Sequence, residues 1–130
     1  MSWARWRSVM GVVLLGMVFG ACDNVTVVLE EVPANTPSDA AIYVAGNFNF
    51  WDPGDPAYRM KQGPDGRYTV DLPKGSGIVK FKFTRGDWTT VEGDECAKVL
   101  LDREVALGFQ DTVFAVVQSW EDLQPLNCSR

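Results

Sequence analysis

Apolar and polar residues alternate along short stretches of this chain, and that alternation restricts the fold more than any other feature of the sequence. In residues 67–72 and again in 79–84, every second side chain is apolar. An alternation of period two places one face of a β-strand in a core and the other in water. Glycine and proline cluster before the first run, in residues 63–66, and between the two runs, in residues 73–77, where they favour turns. The pattern predicts strands and almost no helix.

Further stretches with strand-like patterns complete the predicted fold. They lie in residues 25–32, 41–45, 103–107 and 111–118. The last of these is apolar on both faces, so we expect it to be central in its sheet. The strands over 67–72 and 79–84 are expected to belong to one meander. About seven short strands in about 100 residues predict an all-β, antiparallel β-sandwich.

The N-terminal segment is predicted to be an export signal that stands apart from this fold. Arg5 and Arg7 precede an uncharged apolar run over residues 9–19. That run is about half of the ~20 residues that a membrane-spanning helix needs, and its length is typical of a signal-peptide core. We therefore assign residues 1–21 to a signal peptide and residues 22–130 to one mature domain.

The end of this segment resembles the lipobox of bacterial lipoproteins. Gly20 and Ala21 precede Cys22, and Phe19 stands where the motif usually has leucine. The resemblance implies that Cys22 is lipidated, becomes the mature N-terminus and anchors the domain to a membrane of the bacterial cell envelope. The alternative is a cleaved signal peptide whose Cys22 stays an ordinary thiol.

The composition excludes several classes of function. The chain has no histidine, which removes Ser-His-Asp and Cys-His nucleophiles and histidine-ligated zinc. It carries 17 acidic and 12 basic residues. Without Arg5 and Arg7 ten basic residues remain (12 minus 2), so the net charge of the mature domain is −7 (10 minus 17). Nucleic acid is not an expected partner, because its phosphates need a basic face.

Glycoside hydrolysis needs only two carboxylates, so the acidic residues require separate consideration. The nearest candidates are Asp52 with Asp55, and Glu92 with Asp94 and Glu95. They lie in turn-rich segments, where we expect them to be solvated, and a domain of this size leaves little room for a deep cleft. EF-hand spacing is absent from the sequence. We expect no enzyme activity, no metal and no cofactor, so that any catalysis would come from a separate envelope enzyme.

Two cysteines remain once Cys22 is set aside. Cys96 and Cys128 form an even pair in an exported, oxidising compartment, which predicts a disulfide bond. On the chain-entropy model a bond over this separation stabilises the fold by about 3 to 4 kcal/mol. The alternative is two unpaired thiols. The spacing fits neither a CxxC redox site nor a four-cysteine metal site.

Three tryptophans lie in segments of unusually high aromatic content. Trp51 lies in residues 46–53 and Trp88 ends residues 81–88, among polar and turn-forming neighbours. Large aromatic side chains at loop edges either anchor a corner of the fold or form a binding surface. Both interpretations stay open for Trp51, ligand contact is favoured for Trp88, and Trp120 is expected to pack in the core or at its edge.

Several short motifs follow one another over nearly the whole mature chain. They are Ile-Tyr-Val-Ala-Gly at 42–46 with Trp51, Asp-Leu-Pro at 71–73, Phe-Lys-Phe at 81–83 with Trp88, and Asp-Arg-Glu at 102–104. This ordered set resembles the starch-binding carbohydrate-binding modules and the related glycogen-binding domain of AMP-activated protein kinase β subunits. The resemblance implies an immunoglobulin-like (early-set) sandwich that binds α-1,4-glucans, such as starch, glycogen or maltooligosaccharides, without catalysis.

The same resemblance assigns roles to individual residues. Trp51 and Trp88 match the two tryptophans of the family's principal sugar site, and Lys82 matches a lysine on the intervening strand. Asp102 stands where the family has an asparagine, so it accepts hydrogen bonds but lacks the amide donor. Two indole planes set at an angle suit a bent α-glucan better than a flat, cellulose-like chain. The residue pattern alone also allows Lys82 to be a solvated side chain.

A second sugar site, which the family often has, is only weakly indicated. Tyr43 matches one of its aromatic residues, but Gly66 stands where a tryptophan is expected, and Tyr43 also suits a structural position in a strand. A different function stays open as well. The same sandwich could serve as a protein-interaction or structural module of the cell envelope that does not bind sugar.

Overall fold

The computed structural model describes residues 24–73, 77–106 and 112–129. The predicted signal peptide over residues 1–21 and the predicted lipidation residue Cys22 lie outside these ranges. Within them, no helix has the length and apolar character needed to cross a membrane.

Strands account for nearly all regular structure in the described residues, together with two single-turn 3-10 helices, Pro56–Tyr58 and Trp88–Thr90. The strands are β1 (Asn24–Glu31), β2 (Tyr43–Gly46), β3 (Lys61–Gln62), β4 (Tyr68–Pro73), β5 (Ile78–Thr84), β6 (Glu92–Gly93), β7 (Arg103–Ala106), β8 (Thr112–Val116) and β9 (Ser119–Trp120). The predicted strands are therefore present with bounds shifted by a few residues. Sequence analysis missed the two-residue strands β3, β6 and β9, which are too short to show an alternation.

The described strands form three sheets. Their orders are β3-β4-β1-β8, β2-β5-β7 and β6-β9. Neighbouring strands run antiparallel except for β1 and β8, which are parallel. A parallel pair needs a long crossover, and here the chain passes through the other sheets between β1 and β8. The predicted all-β sandwich is confirmed, with this pair as its one departure from antiparallel pairing among the described strands.

Two predicted details of the sheets are wrong. The strands β4 and β5 do not share a meander, because β4 pairs with β1 and β3 while β5 pairs with β2 and β7. Strand β8 is not central: it ends the order of its sheet, and Phe114 and Val116 are 60% and 39% exposed. An apolar composition on both faces does not by itself tell a central strand from an edge strand whose outer face stays in water.

The core lies between the four-stranded and the three-stranded sheets. Val27 and Leu29 of β1 face Phe81 and Phe83 of β5 within one buried cluster. The predicted alternation is confirmed by the burial patterns of β4 and of β5 as far as Phe83, whereas Thr84, expected on the polar face, is fully buried. Every residue of this core cluster, including the partly buried side chains packed against it, lies between residues 27 and 123. The described core therefore lies within the predicted mature domain, residues 22–130.

Trp120 and the disulfide bond stabilise the C-terminal part of the domain. Trp120 is fully buried, and its indole Nε1 donates a hydrogen bond of 2.8 Å to the Thr36 hydroxyl. Its expected role in core packing is confirmed. Cys96 and Cys128 are joined by the disulfide that the cysteine count predicts, with their Cα atoms 4.6 Å apart. The bond ties the C-terminal segment to the turn that follows β6.

Candidate functional site

The loop that follows β2 is held from inside by one buried amide. Asn49 is only 7% exposed. Its Oδ1 accepts a hydrogen bond of 2.9 Å from the Gly46 N–H, and its Nδ2 donates one of 3.1 Å to the Val44 carbonyl. The same Nδ2 lies 3.4 Å from the Asp55 carboxylate. Because both ends of the loop bond to one side chain, residues 46–55 are fixed in a single shape.

Two bulky residues of this loop adopt a backbone conformation that they normally avoid. Phe50 and Trp51 have φ angles of 55° and 56°. This left-handed region is disfavoured by about 1 to 2 kcal/mol for a residue with a Cβ. The Trp51 N–H donates a hydrogen bond of 3.0 Å to the Gly46 carbonyl, which helps to hold the turn. The loop geometry thereby sets the direction of both aromatic rings.

Trp88 is fixed by a capped turn. It begins the 3-10 helix Trp88–Thr90, and the Asp87 carboxylate accepts a hydrogen bond of 2.8 Å from the Thr89 N–H. The Thr90 hydroxyl accepts a bond of 3.4 Å from the Asp87 N–H, which completes a capping box. The hydrogen bond from the Thr89 side chain lowers the pKa of Asp87, and the Thr89 N–H lowers it further. The charged carboxylate therefore stabilises the turn that carries Trp88.

The two tryptophan-bearing loops pack directly against each other. The Thr84 hydroxyl donates a hydrogen bond to the Pro53 carbonyl. A Cβ on Gly54 would come within 2.7 Å of the Gly86 carbonyl oxygen, so the close approach of the two backbones requires glycine at position 54. Gly86 itself has a φ of 121°, a conformation that favours glycine. The turn after β5 is thereby held against the loop after β2.

This packing brings Trp51 and Trp88 together. Their ring centroids are 6.5 Å apart and their planes are inclined by 40°. Trp88 is 43% exposed and Trp51 is half-buried, in contrast with the sealed indole of Trp120. The two residues that sequence analysis assigned to one site, 37 positions apart, thus form an accessible pair of angled aromatic rings on the surface. We call this pair the tryptophan platform.

Lys82 in β5 and Asp102, which directly precedes β7, form a polar pair. Strand alternation places Lys82 on the face of β5 that also carries Thr84, whose hydroxyl contacts the platform loop. The Lys82 Nζ lies 3.9 Å from the Asp102 Oδ1, and the two side chains are 13% and 43% exposed. Lys80, on the same face, is 46% exposed. The covered Lys82 is therefore held in place, which disfavours the interpretation as a freely solvated lysine.

The residues considered for a second sugar site are separated. Tyr43 lies in β2 of the three-stranded sheet, where it pairs with Thr84, and is half-buried. Gly66 lies in the turn between β3 and β4 of the other sheet, with a φ of 84°. The structure gives Tyr43 a position in the strand beside the Trp88 turn, and a glycine suits the turn at 66.

The carboxylates considered for hydrolysis mainly support the fold. Asp52 accepts a hydrogen bond from the Gly54 N–H, and Asp55 caps the 3-10 helix that follows it. Glu92 is fully buried, accepts from the Phe83 N–H at 3.1 Å, and pairs with Arg103 at 2.7 Å. The expectation that Glu92 is solvated is wrong, because Arg103, eleven positions later in β7, neutralises it inside the domain.

The remaining acidic candidates lie at the surface turn after β6. Glu95 is exposed, and the Asp94 carboxylate accepts hydrogen bonds from the N–H groups of Cys96 and Lys98. Within the part of the chain that the structure describes, no group of three or more potential ligand side chains is arranged to hold a metal ion.

Sequence analysis missed two residues that shape the site. Asn49 was not singled out, although a polar residue between two aromatic ones in a turn-forming segment is a signal for a buried side chain-to-backbone hydrogen bond. Phe50 was also missed, and its side chain is fully exposed at 101%. Its direction follows from the left-handed backbone, which the sequence pattern does not show.

The fold and the site together define an all-β sandwich module with an exposed aromatic platform. No protein-family model matches the chain. Over 95 residues the chain is 41% identical to part of an alpha-amylase from Niallia circulans. The similar region covers 71% of this chain but only 7% of the amylase. This chain is therefore similar to one small segment of that larger protein.

Proposed function

We propose that the mature domain is a non-catalytic carbohydrate-binding module for α-1,4-glucans such as starch, glycogen and maltooligosaccharides. The observation that carries the proposal is the tryptophan platform, two accessible indoles 6.5 Å apart and held by fixed loops. The similarity to part of an alpha-amylase supports a ligand of the α-glucan class. The small share of the amylase that is matched supports a module without the catalytic part.

The angle of the platform selects for the shape of the polymer. The apolar faces of glucose rings stack on indoles, which bury large apolar areas while leaving sugar hydroxyls free for hydrogen bonds. Because Trp51 and Trp88 are inclined by 40°, they fit consecutive rings that change direction along a bent chain. A flat β-linked glucan presents parallel faces and would contact only one of the two indoles fully.

Lys82 and Asp102 supply the polar part of the site. The Lys82 ammonium has three N–H donors, so it can donate to sugar hydroxyls while it stays near the Asp102 carboxylate. Asp102 offers acceptors only. Together they orient the glucan on the platform, and their charges largely cancel, which suits a neutral ligand.

The affinity follows from the apolar area of the two indole rings that the bound glucan removes from contact with water. If each indole loses about 50 to 100 Å² of accessible surface, burial contributes about 1 to 3 kcal/mol per ring. The loss of translational freedom and of glucan flexibility offsets much of this gain. We expect dissociation constants between about micromolar and millimolar for one module.

We propose in addition that lipidated Cys22 anchors the module to a membrane of the cell envelope, with the platform directed away from the bilayer. Asn24 pairs with Pro73, the last residue of β4, and only four residues of the chain separate Pro73 from the start of β5 at Ile78. The platform lies beside Thr84, at the other end of β5, a strand about 20 Å long. Replacement of Cys22 by serine should release the protein from membranes, and unchanged membrane retention would contradict the anchor.

A titration of residues 23–130, which is the predicted mature domain without the lipidation residue Cys22, tests the binding proposal. Tryptophan fluorescence is followed as maltoheptaose or β-cyclodextrin is added, with a cellooligosaccharide of similar length as the matched control. The expected result is a saturable change with the α-linked ligands and none with the β-linked control.

The other outcomes decide between the alternatives. The absence of a response at millimolar α-glucan would favour the protein-interaction module of the cell envelope. Hydrolysis of the glucan by the purified domain would contradict the assignment as non-catalytic.

A further inference from the structure

One aromatic ring beside the tryptophan platform has no role in the fold. Phe50 is 101% exposed, more than any other large apolar side chain of the described residues. It is absent from the core cluster and from the partly buried residues packed against it. A single exposed apolar residue is common, so exposure alone indicates no function.

The backbone at Phe50 adds a second, independent observation. Its φ of 55° is unfavourable for a phenylalanine, and glycine or asparagine would adopt this conformation more readily. The buried Asn49 amide bonds to both ends of the loop and imposes this conformation. A strained residue that contributes no packing is a reason to look for a ligand.

The position of Phe50 relates the ring to the platform. The Cα atoms of Phe50 and Trp51 are separated by one peptide unit, about 3.8 Å. A ring inserted between the two indoles would lose accessible surface, so a fully exposed phenyl ring projects outside the pair. The same rigid loop therefore presents Trp51 to the platform and Phe50 to the solvent next to it.

We propose that Phe50 is a third aromatic contact, which binds a glucose ring of an α-glucan that extends past the tryptophan platform. This inference rests on the proposed function and adds a preference for long chains. A short oligosaccharide occupies Trp51 and Trp88 alone. A longer one also covers the phenyl ring, which removes apolar surface from water without a further loss of loop freedom, since the loop is already fixed.

A chain-length series with maltotriose and maltoheptaose, measured by calorimetry on residues 23–130, tests the proposal. In Phe50→Ala we expect about five- to tenfold weaker binding of maltoheptaose and a change of less than about twofold for maltotriose. Phe50→Gly also lacks the ring but relieves the strained backbone. It should show the same loss for maltoheptaose, because the ring and not the strain makes the contact.

Phe114→Ala is the matched control, since it removes an exposed phenyl ring from the outer face of the other sheet and should leave both affinities unchanged. Equal binding of maltoheptaose by wild type and Phe50→Ala, while Trp88→Ala weakens it tenfold or more, would overturn the role of Phe50 and leave the proposed function intact. An equal loss for both sugars would also overturn it, since that result indicates a displaced platform. If the wild type binds neither sugar, the proposed function and this inference both fail.

Discussion

Replacement of Trp88 by alanine is the most informative perturbation of the platform, because it removes the more exposed of the two indoles. An aromatic side chain of this size has about 250 Å² of surface, so the 43% that is exposed corresponds to about 100 Å². A glucose ring that covers between half and all of this area gains about 1.3 to 2.5 kcal/mol. Its loss should raise the dissociation constant for maltoheptaose by about tenfold to seventyfold.

The stability of Trp88→Ala separates this effect from unfolding. The covered 57% of Trp88 (100% minus 43%) is about 140 Å², so by the same conversion the free energy of unfolding should fall by up to about 3.5 kcal/mol. Urea unfolding and calorimetric titration on the same samples measure the two quantities, with Phe114→Ala as the control for loss of an exposed aromatic ring. Wild-type affinity in a folded Trp88→Ala domain would refute the stacking argument.

Three further perturbations test other parts of the site. Lys82→Met should weaken maltoheptaose binding about three- to tenfold by calorimetry, because hydrogen bonds to the sugar are lost. The control variant Lys80→Met, on the same face of β5, should leave the affinity unchanged. Equal effects of the two variants would contradict a specific role for Lys82. Asn49→Ala leaves buried polar groups of the loop unpaired, so urea unfolding should show a free energy of unfolding that is lower by about 2 to 3 kcal/mol. Glucan binding should be weaker as well. Unchanged stability would show that the Asn49 amide does not hold the loop. The pKa of Asp87 is lowered from 3.8, first by the Thr89 side chain, so its carboxylate stabilises the folded state above pH ~4 and that contribution is lost as the pH falls through the folded pKa. Wild type should therefore lose more stability between pH 7 and pH ~3 than Asp87→Asn, which keeps a cap that does not titrate, and identical losses in urea midpoints would contradict this.

The sequence predicted the strands well because their pattern depends on local alternation. The faces of β4 and β5 follow from every second residue, and the turns follow from glycine and proline. Which strands become neighbours depends on tertiary contacts that alternation does not report. For this reason the shared meander and the central position of β8 were wrong, although each strand was present.

The candidate site shows the same division. The resemblance named Trp51, Trp88, Lys82 and Asp102, and the structure places the tryptophans in one pair and the charged residues in another. The burial of Glu92 could not be read from its turn-rich surroundings, because it depends on pairing with Arg103 from another strand. Local composition predicts exposure only where no distant partner compensates the charge.

Resonances of the indole N–H groups test the central claim most directly. Residues 23–130 contain three tryptophans, Trp51, Trp88 and Trp120, and therefore give three indole N–H signals in a proton–nitrogen correlation spectrum. During titration with maltoheptaose we predict that the signals of Trp51 and Trp88 shift together along one binding curve. The signal of Trp120, which is buried and bonded to Thr36, should stay in place. Unchanged signals for both surface tryptophans at saturating sugar, or a shift of Trp120 alone, would contradict the account.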